Sequence, residues 1–400
     1  MKLAVLLPGS DLKNRRGLMN AALSRLEYLE RIPGYEIDVF ALRTEIRTLH
    51  PFRSFKREVS CSDILFEGRL VHQFLKIEYR SNNRILRKPL KIYHQLTHRR
   101  LCDWEWQKSF AKYLKGYDVI TAHFNDMAIT AEHAHARFGT PFFVTWHGSD
   151  IHTIPFNDST AKEKTIQCIE HAACNFFVSS ALLQTSEQLT TNGRKEVLYN
   201  GVDSHFKRYD DEHRDQLRKQ FGIESDEKVI TFVGNLRPVK NAGILPDIFK
   251  SVLENYQQPV KFWIIGDGEE RQTIETKLKD LALDCRLWGN QPNDAIPDFL
   301  NCTDVLVLPS MNEGLGLVAM EALSCEANVI GSQIGGIPEV ISEEFCVPIG
   351  PLFVEEFARK VVQVLEGHNI QAVPFCMNWE TTSLKESSFY NEAISKKKRI

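Results

Sequence analysis

Short apolar runs recur along this chain, separated by longer stretches with helix-compatible spacing, and that alternation admits few folds. Leu3 to Leu7, Glu36 to Ala41, Asp118 to Thr121, Phe142 to Trp146, Asn175 to Val178 and Val197 to Tyr199 read as strands. A crossover of helical length between consecutive strands lets them pair in parallel, so the first half predicts a doubly wound α/β sheet. A second series follows at Val229 to Val233, Val260 to Ile265, Cys285 to Trp288, Asp304 to Leu308 and Asn328 to Gly331, and predicts another. Between the two, Asn200-Gly-Val-Asp203 and the charged stretch Lys207 to Lys219 read as a linker running into a helix. The expected domains are therefore residues 1–200 and 201–378, with a terminal helix over 379–400. Four hundred residues exceed what one hydrophobic core usually holds, which agrees. The segment from Leu42 to Arg100 has weak periodicity and reads as an insertion.

Composition excludes several classes. With 43% hydrophobic and 25% charged residues the chain is ordinary globular protein. No apolar run approaches the length of a membrane span, and Leu3 to Leu7 is too short for a signal sequence, so the expected location is the cytoplasm. Nine cysteines without a Cys-x-x-Cys pair fit reduced, buried thiols, and no metal site is expected. Charge is uneven: residues 1–200 hold 28 Lys/Arg against 21 Asp/Glu, whereas the remainder holds 21 against 31. Arg80, Arg84, Arg87, Lys88, Lys91, Arg99 and Arg100 fall in one stretch without an acid, interleaved with apolar residues. Such a stretch suits peripheral contact with an anionic membrane at its inner face, where each basic side chain adds about 1 kcal/mol. It equally suits a solvated helix face. No nucleic-acid motif accompanies it, and no nucleic-acid partner is expected.

The chemistry concentrates in Pro309-Ser-Met-Asn-Glu313-Gly-Leu-Gly-Leu-Val-Ala-Met-Glu321. Val305 to Leu308 is apolar at every position, the mark of a parallel strand buried on both faces. Gly314 and Gly316 let the backbone approach a ligand, and a helix starting near Leu317 directs its unpaired amides at an anion bound there. Glu313 then stands before the helix and Glu321 about one turn inside it. Two isolated glutamates at this spacing are usually a first-turn carboxylate and a solvated one. Here a strand and Pro-Ser precede them, and a second strand and Gly335-Gly336-Ile337-Pro338-Glu339 follow.

That order of elements resembles the donor-binding core of the retaining GT-B glycosyltransferases of family 4, the group 1 glycosyltransferases. The resemblance is close from Val229 to Ile341 and thinner in the first half. It implies two Rossmann-like domains facing a central cleft, with the terminal helix crossing back to the first. It also implies a nucleoside-diphosphate sugar as donor substrate, no cofactor and no obligatory metal. Gly234-Asn235-Leu-Arg237-Pro-Val-Lys240 resembles the family's Gly-Arg-Leu-x-x-x-Lys loop, and Lys240 matches its diphosphate-binding lysine. The family's arginine is Asn235 here, so either Arg237 reaches the same phosphate from another backbone position or the leaving group is less well neutralised. Gly266-Asp267-Gly268 resembles a turn lining the cleft near the nucleotide. Leu287-Trp288-Gly289-Asn290 resembles the segment that recognises the base, with Trp288 itself a core residue. By the same resemblance Glu313 contacts the donor sugar's hydroxyls, the amides of Gly314, Leu315, Gly316 and Leu317 contact the diphosphate, and Glu321 accepts the ribose diol. His147, in Thr145-Trp-His-Gly-Ser-Asp150, lies beside the transferring sugar, and the loop Pro8 to Gly17 corresponds to the acceptor loop.

The leading expectation is a cytoplasmic hexosyltransferase that extends a glycan or lipid-linked acceptor in cell-surface polysaccharide synthesis, with retention. A sugar-nucleotide epimerase of the same fold would bind the same diphosphate but needs acid and base groups acting on the sugar ring. A catalytically silent scaffold subunit is the third reading, and intact Lys240, Glu313, Glu321 and His147 argue against it.

Overall fold

The computed structural model describes residues 1–8, 17–48, 59–80, 106–368 and 378–397, and the chain divides into two compact units. Residues 1–178, 183–198 and 380–400 make the first, and residues 179–182 and 199–379 make the second.

The first unit is built on eight strands: β1 (Lys2–Leu7), β2 (Glu36–Thr48), β3 (Val59–Phe66), β4 (Arg69–Arg80), β5 (Val119–His123), β6 (Phe142–Trp146), β7 (Cys174–Phe177) and β8 (Lys195–Val197). They are ordered β3-β4-β2-β1-β5-β6-β7-β8 and are parallel except for β3 against β4. The strand order reverses between β1 and β5. The helix Gly17–Glu30 buries Met19, Ala22, Leu23, Leu26 and Leu29, a single stripe at helical spacing, against Leu3, Val5 and Leu7 of β1. Phe389 and Tyr390 of the C-terminal helix Trp379–Lys397 join the same core. Tyr390 meets Phe143 edge-on at 4.7 Å between ring centroids.

β3 and β4 occupy the segment that the sequence leaves without a clear period. They form an antiparallel hairpin whose two turn residues, Glu67 and Gly68, both have positive φ (48° and 77°), as a two-residue turn matched to strand twist requires. Its cross-strand pair Leu65 and Leu70 faces solvent, at 77% and 56% exposure, so apolar residues stand on both faces, with Ile64, Phe66 and Val71 packed on the core. The acceptor-loop residues 9–16 and the basic stretch from Arg84 to Arg100 lie outside the described residues.

The second unit has six strands, all parallel: β9 (Lys228–Val233), β10 (Val260–Ile265), β11 (Cys285–Gly289), β12 (Val305–Leu308), β13 (Asn328–Ser332) and β14 (Cys346–Val347), ordered β11-β10-β9-β12-β13-β14. This is the doubly wound Rossmann order, with its reversal between β9 and β12. β12 is buried at every residue, as its unbroken apolar sequence predicts. The helix Leu245–Asn255 buries Leu245, Ile248, Phe249 and Val252, and Phe249 stacks on Phe262 of β10 at 4.4 Å. Among the described residues no helix is long and apolar enough to cross a membrane.

Candidate active site

In an open parallel sheet, crossovers leave the two strands at the reversal toward opposite faces, and the gap between their carboxyl ends is where ligands bind. In the second unit those strands are β9 and β12, so the loops to inspect are Gly234 to Asn241 and Pro309 to Gly316. They meet: the amide of Met311 donates to the carbonyl of Val239 at 2.9 Å. Lys240 ends a short 3-10 turn, Pro238–Lys240, and its ammonium forms an ion pair with the carboxylate of Glu313. Ser310, fully buried, donates to the same carboxylate oxygen at 3.4 Å. A cation, an anion and the amino end of the helix Leu317–Ser324 thus converge on the reversal of the sheet.

Close backbone contacts hold these loops. A Cβ on Gly335 would lie 2.0 Å from the carbonyl oxygen of Glu313, and its φ of +53° is one that side chains disfavour. Gly336 in turn donates its amide to that carbonyl at 3.2 Å, so the Gly335-Gly336 pair fixes the backbone that carries Glu313. On the other flank a Cβ on Gly266 would fall 1.9 Å from the carbonyl oxygen of Gly234. The turn after β10 can therefore lie on the loop after β9, sealed by Leu236 N–H to Asp267 O at 3.1 Å and Glu270 N–H to Leu236 O at 3.0 Å. Asp267 spends its carboxylate locally, accepting from the amide of Gly268 at 2.8 Å and from Arg271 at 3.4 Å.

The remaining expected residues of this sheet lie in the same unit. Leu315 is buried, so it has only backbone to offer a ligand, while Gly314 and Gly316 are buried in the same turn and Leu317 opens the helix. Asn235 is half-buried and Arg237 exposed. Asn290 is exposed just beyond β11. Trp288 is half-buried: it packs edge-on against Phe221, Trp263 and Phe299, while the exposed Arg286 covers its ring at 3.6 Å, so it borders the core rather than filling it. Glu339, from the motif after β13, accepts from the amides of Ser180 and Ala181, both at 2.8 Å, and from the Tyr199 hydroxyl at 2.9 Å. Those three donors make it a structural carboxylate.

Glu321 lies in the second turn of its helix and is half-buried. Burial pushes its carboxyl up to about 8, and the negative charge of Asp203 adds to the effect. The unfolded chain releases this proton near 4.5, so across the interval from there to 8 the folded chain binds a proton that the unfolded chain has lost. Stability therefore falls as pH rises through that interval and is flat outside it. Urea unfolding between pH 6.5 and 8 is expected to show this decline in the wild type and to lose it in Glu321→Gln. Equal slopes in the two proteins would contradict the assignment.

In the first unit His147 follows β6, half-buried, and its backbone is set by Asp150. That fully buried carboxylate accepts from the amides of His147 at 3.1 and 3.2 Å and of Gly148 at 2.7 Å, and burial pushes its carboxyl up to about 6. His147 Nε2 is 3.1 Å from Nδ1 of His123, which ends β5 and is 1% exposed. Burial, then the positive charge of Arg25, holds His147 down to about 3; burial, His147 and Arg25 hold His123 well below the usual histidine range. Both rings are neutral at physiological pH. Arg25, also 1% exposed, donates to Thr145 Oγ1 at 2.7 Å and pairs with the fully buried Glu386 at 3.6 Å. Asp203 and His123 leave faint marks in the sequence: the first ends the Asn-Gly-Val-Asp linker, and the second is a polar residue closing an apolar strand beside the one that carries His147.

Residues 26–206 match the family model described as Glycosyltransferase Family 4, and residues 213–378 match that described as Glycosyl transferases group 1. The N-acetyl-alpha-D-glucosaminyl L-malate synthase of Bacillus anthracis is 32% identical over 200 residues, 49% of this chain and 51% of that protein. A Bacillus subtilis glycosyltransferase proposed for teichuronic acid biosynthesis is 26% identical over 251 residues, 62% of this chain and 61% of that one. The chain thus spans about half to three fifths of the length of these relatives. Among solved structures, the Anabaena protein HepE in complex with UDP and glucose superposes with a TM-score of 0.66 at 17% identity, covering 100% of both chains. With two Rossmann-like α/β domains and family models that between them take in most of its length, the chain belongs to the group 1, family 4 glycosyltransferases of GT-B fold.

Proposed function

We propose that the protein transfers a hexose from a nucleoside-diphosphate sugar to a hydroxyl of a glycan or lipid-linked acceptor, with retention, in cell-surface polysaccharide synthesis. The observation that carries this reading is the Lys240–Glu313 pair at the reversal of the second sheet, beside the amino end of the helix Leu317–Ser324. As the bond from the anomeric carbon to the diphosphate breaks, negative charge grows on the departing oxygen. Lys240 and the amides of Gly314 to Leu317 neutralise it without reorganising. Glu313 accepts from sugar hydroxyls and orients the ring. Glu321 binds the ribose. The acceptor oxygen attacks from the face the diphosphate leaves, and its proton passes to a diphosphate oxygen. His147 of the first unit contacts the reacting sugar as a neutral imidazole. The polysaccharide role draws on the Bacillus subtilis relative, and UDP as the first nucleotide to test draws on the Anabaena complex.

A thermal-shift panel of UDP, GDP and ADP with their hexose conjugates tests the reading. A nucleotide present at a hundred times its Kd stabilises the folded state by about 2.7 kcal/mol. One member is expected to raise Tm by several degrees, and the absence of any shift across the panel would end the donor assignment.

A further inference from the structure

His123 is absent from the chemistry above, yet it is the described side-chain hydrogen-bond partner of His147. β5 and β6 are parallel neighbours with His123 opposite Thr145, which brings the His123 ring beside His147 two residues on. The ring centroids are 5.4 Å apart, the planes 29° apart, and Nδ1 of His123 faces Nε2 of His147 at 3.1 Å. Two cationic rings could not make this bond, and burial first, with the positive charge of Arg25 adding to it, opposes the charging of either.

Between two neutral imidazoles a hydrogen bond needs one N–H and one lone pair. Whichever ring donates, the position of the proton on His147 follows from the state of His123 Nδ1. Nε2 of His147 is engaged with the buried ring, and among the described residues its Nδ1 has no partner. Asp150 fixes only the backbone of His147, so the orientation of the ring is left to His123.

We propose that His123 is a positioning residue: its Nδ1 fixes the ring orientation and tautomer of His147, so that Nδ1 of His147 meets the substrate in a single form. The inference rests on the reading that His147 contacts the reacting sugar, and the experiment separates the two. In His123→Asn the side-chain amide occupies the place of Nδ1. In His123→Gln it occupies that of Nε2, and the partner of His147 is lost although size and polarity are kept.

Steady-state transfer and histidine nitrogen NMR are measured on the full chain carrying His123→Asn, His123→Gln or His147→Ala. His123→Gln is expected to lower kcat about tenfold to a hundredfold, as loss of an outer partner does for oriented histidines, with donor KM changed by less than about threefold. His123→Asn is expected to stay within about threefold of wild type. The His147 nitrogens should report one neutral tautomer in the wild type and in His123→Asn, and a mixture in His123→Gln. If His147→Ala abolishes transfer while His123→Gln is as active as wild type with an unchanged tautomer, the proposal is wrong. If His147→Ala transfers normally, the reading of His147 fails instead, and the nitrogen spectra still decide whether His123 sets its tautomer.

Discussion

Replacing Arg25 by methionine is expected to destabilise the first unit by about 3–5 kcal/mol, because it leaves a carboxylate buried without its cation. Glu386 is fully buried; it accepts from the Tyr390 hydroxyl and, at 3.5 Å, from Thr121, but Arg25 is the cation paired with it. Neither hydroxyl can neutralise an ionised group. The chain must then bury a lone charge. The same reasoning makes Arg25→Met with Glu386→Leu milder than the single change, since apolar residues of similar volume replace a buried pair at little cost. Urea unfolding followed by circular dichroism reads both proteins. A single variant within about 1 kcal/mol of wild type would show that the pair is not held as described. The expectation bears on function as well as stability, because this pair joins the helix Trp379–Lys397 to the helix Gly17–Glu30 and the charge of Arg25 adds to burial in keeping His147 neutral.

The second large effect is on turnover. Lys240→Ala and Glu313→Gln are each expected to lower donor turnover by on the order of 10² or more, the usual consequence of removing one preorganised charge from a developing oxyanion or its neighbour. Both side chains are partly exposed, at 24% and 15%, on loops outside the core, so the fold should survive either change. Thermal unfolding of each variant provides that check. Wild-type transfer by both would place the chemistry elsewhere.

What the sequence discloses follows burial. β9, β10 and β12 announce themselves because strands covered on both faces can be apolar at nearly every position, and turn residues then mark their ends. β3 and β4 do not, because Leu65 and Leu70 stand apolar on the solvent face and blur the alternation set by Ile64, Phe66 and Val71, which pack on the core. Lys240 and Glu313 are legible as loop residues after strands, whereas their pairing depends on which strands are neighbours. That order is set by the crossovers, and spacing along the chain does not encode it. Gly266 and Gly335 read as ordinary turn glycines; only a carbonyl oxygen 1.9 and 2.0 Å, respectively, from where a Cβ would stand explains why a side chain cannot be placed there. The buried Arg25–Glu386 pair joins residues at opposite ends of the chain, and each alone resembles a helix-surface charge.

We propose that the reversal of the second sheet binds a nucleotide's diphosphate through Lys240. Calorimetric titration of the stabilising nucleotide into wild type and Lys240→Ala, side by side at fixed salt, addresses it directly. Saturable binding to the wild type is expected, with a loss of affinity of about tenfold or more in the variant, the worth of a charge-assisted hydrogen bond. Equal dissociation constants for the two proteins would contradict it.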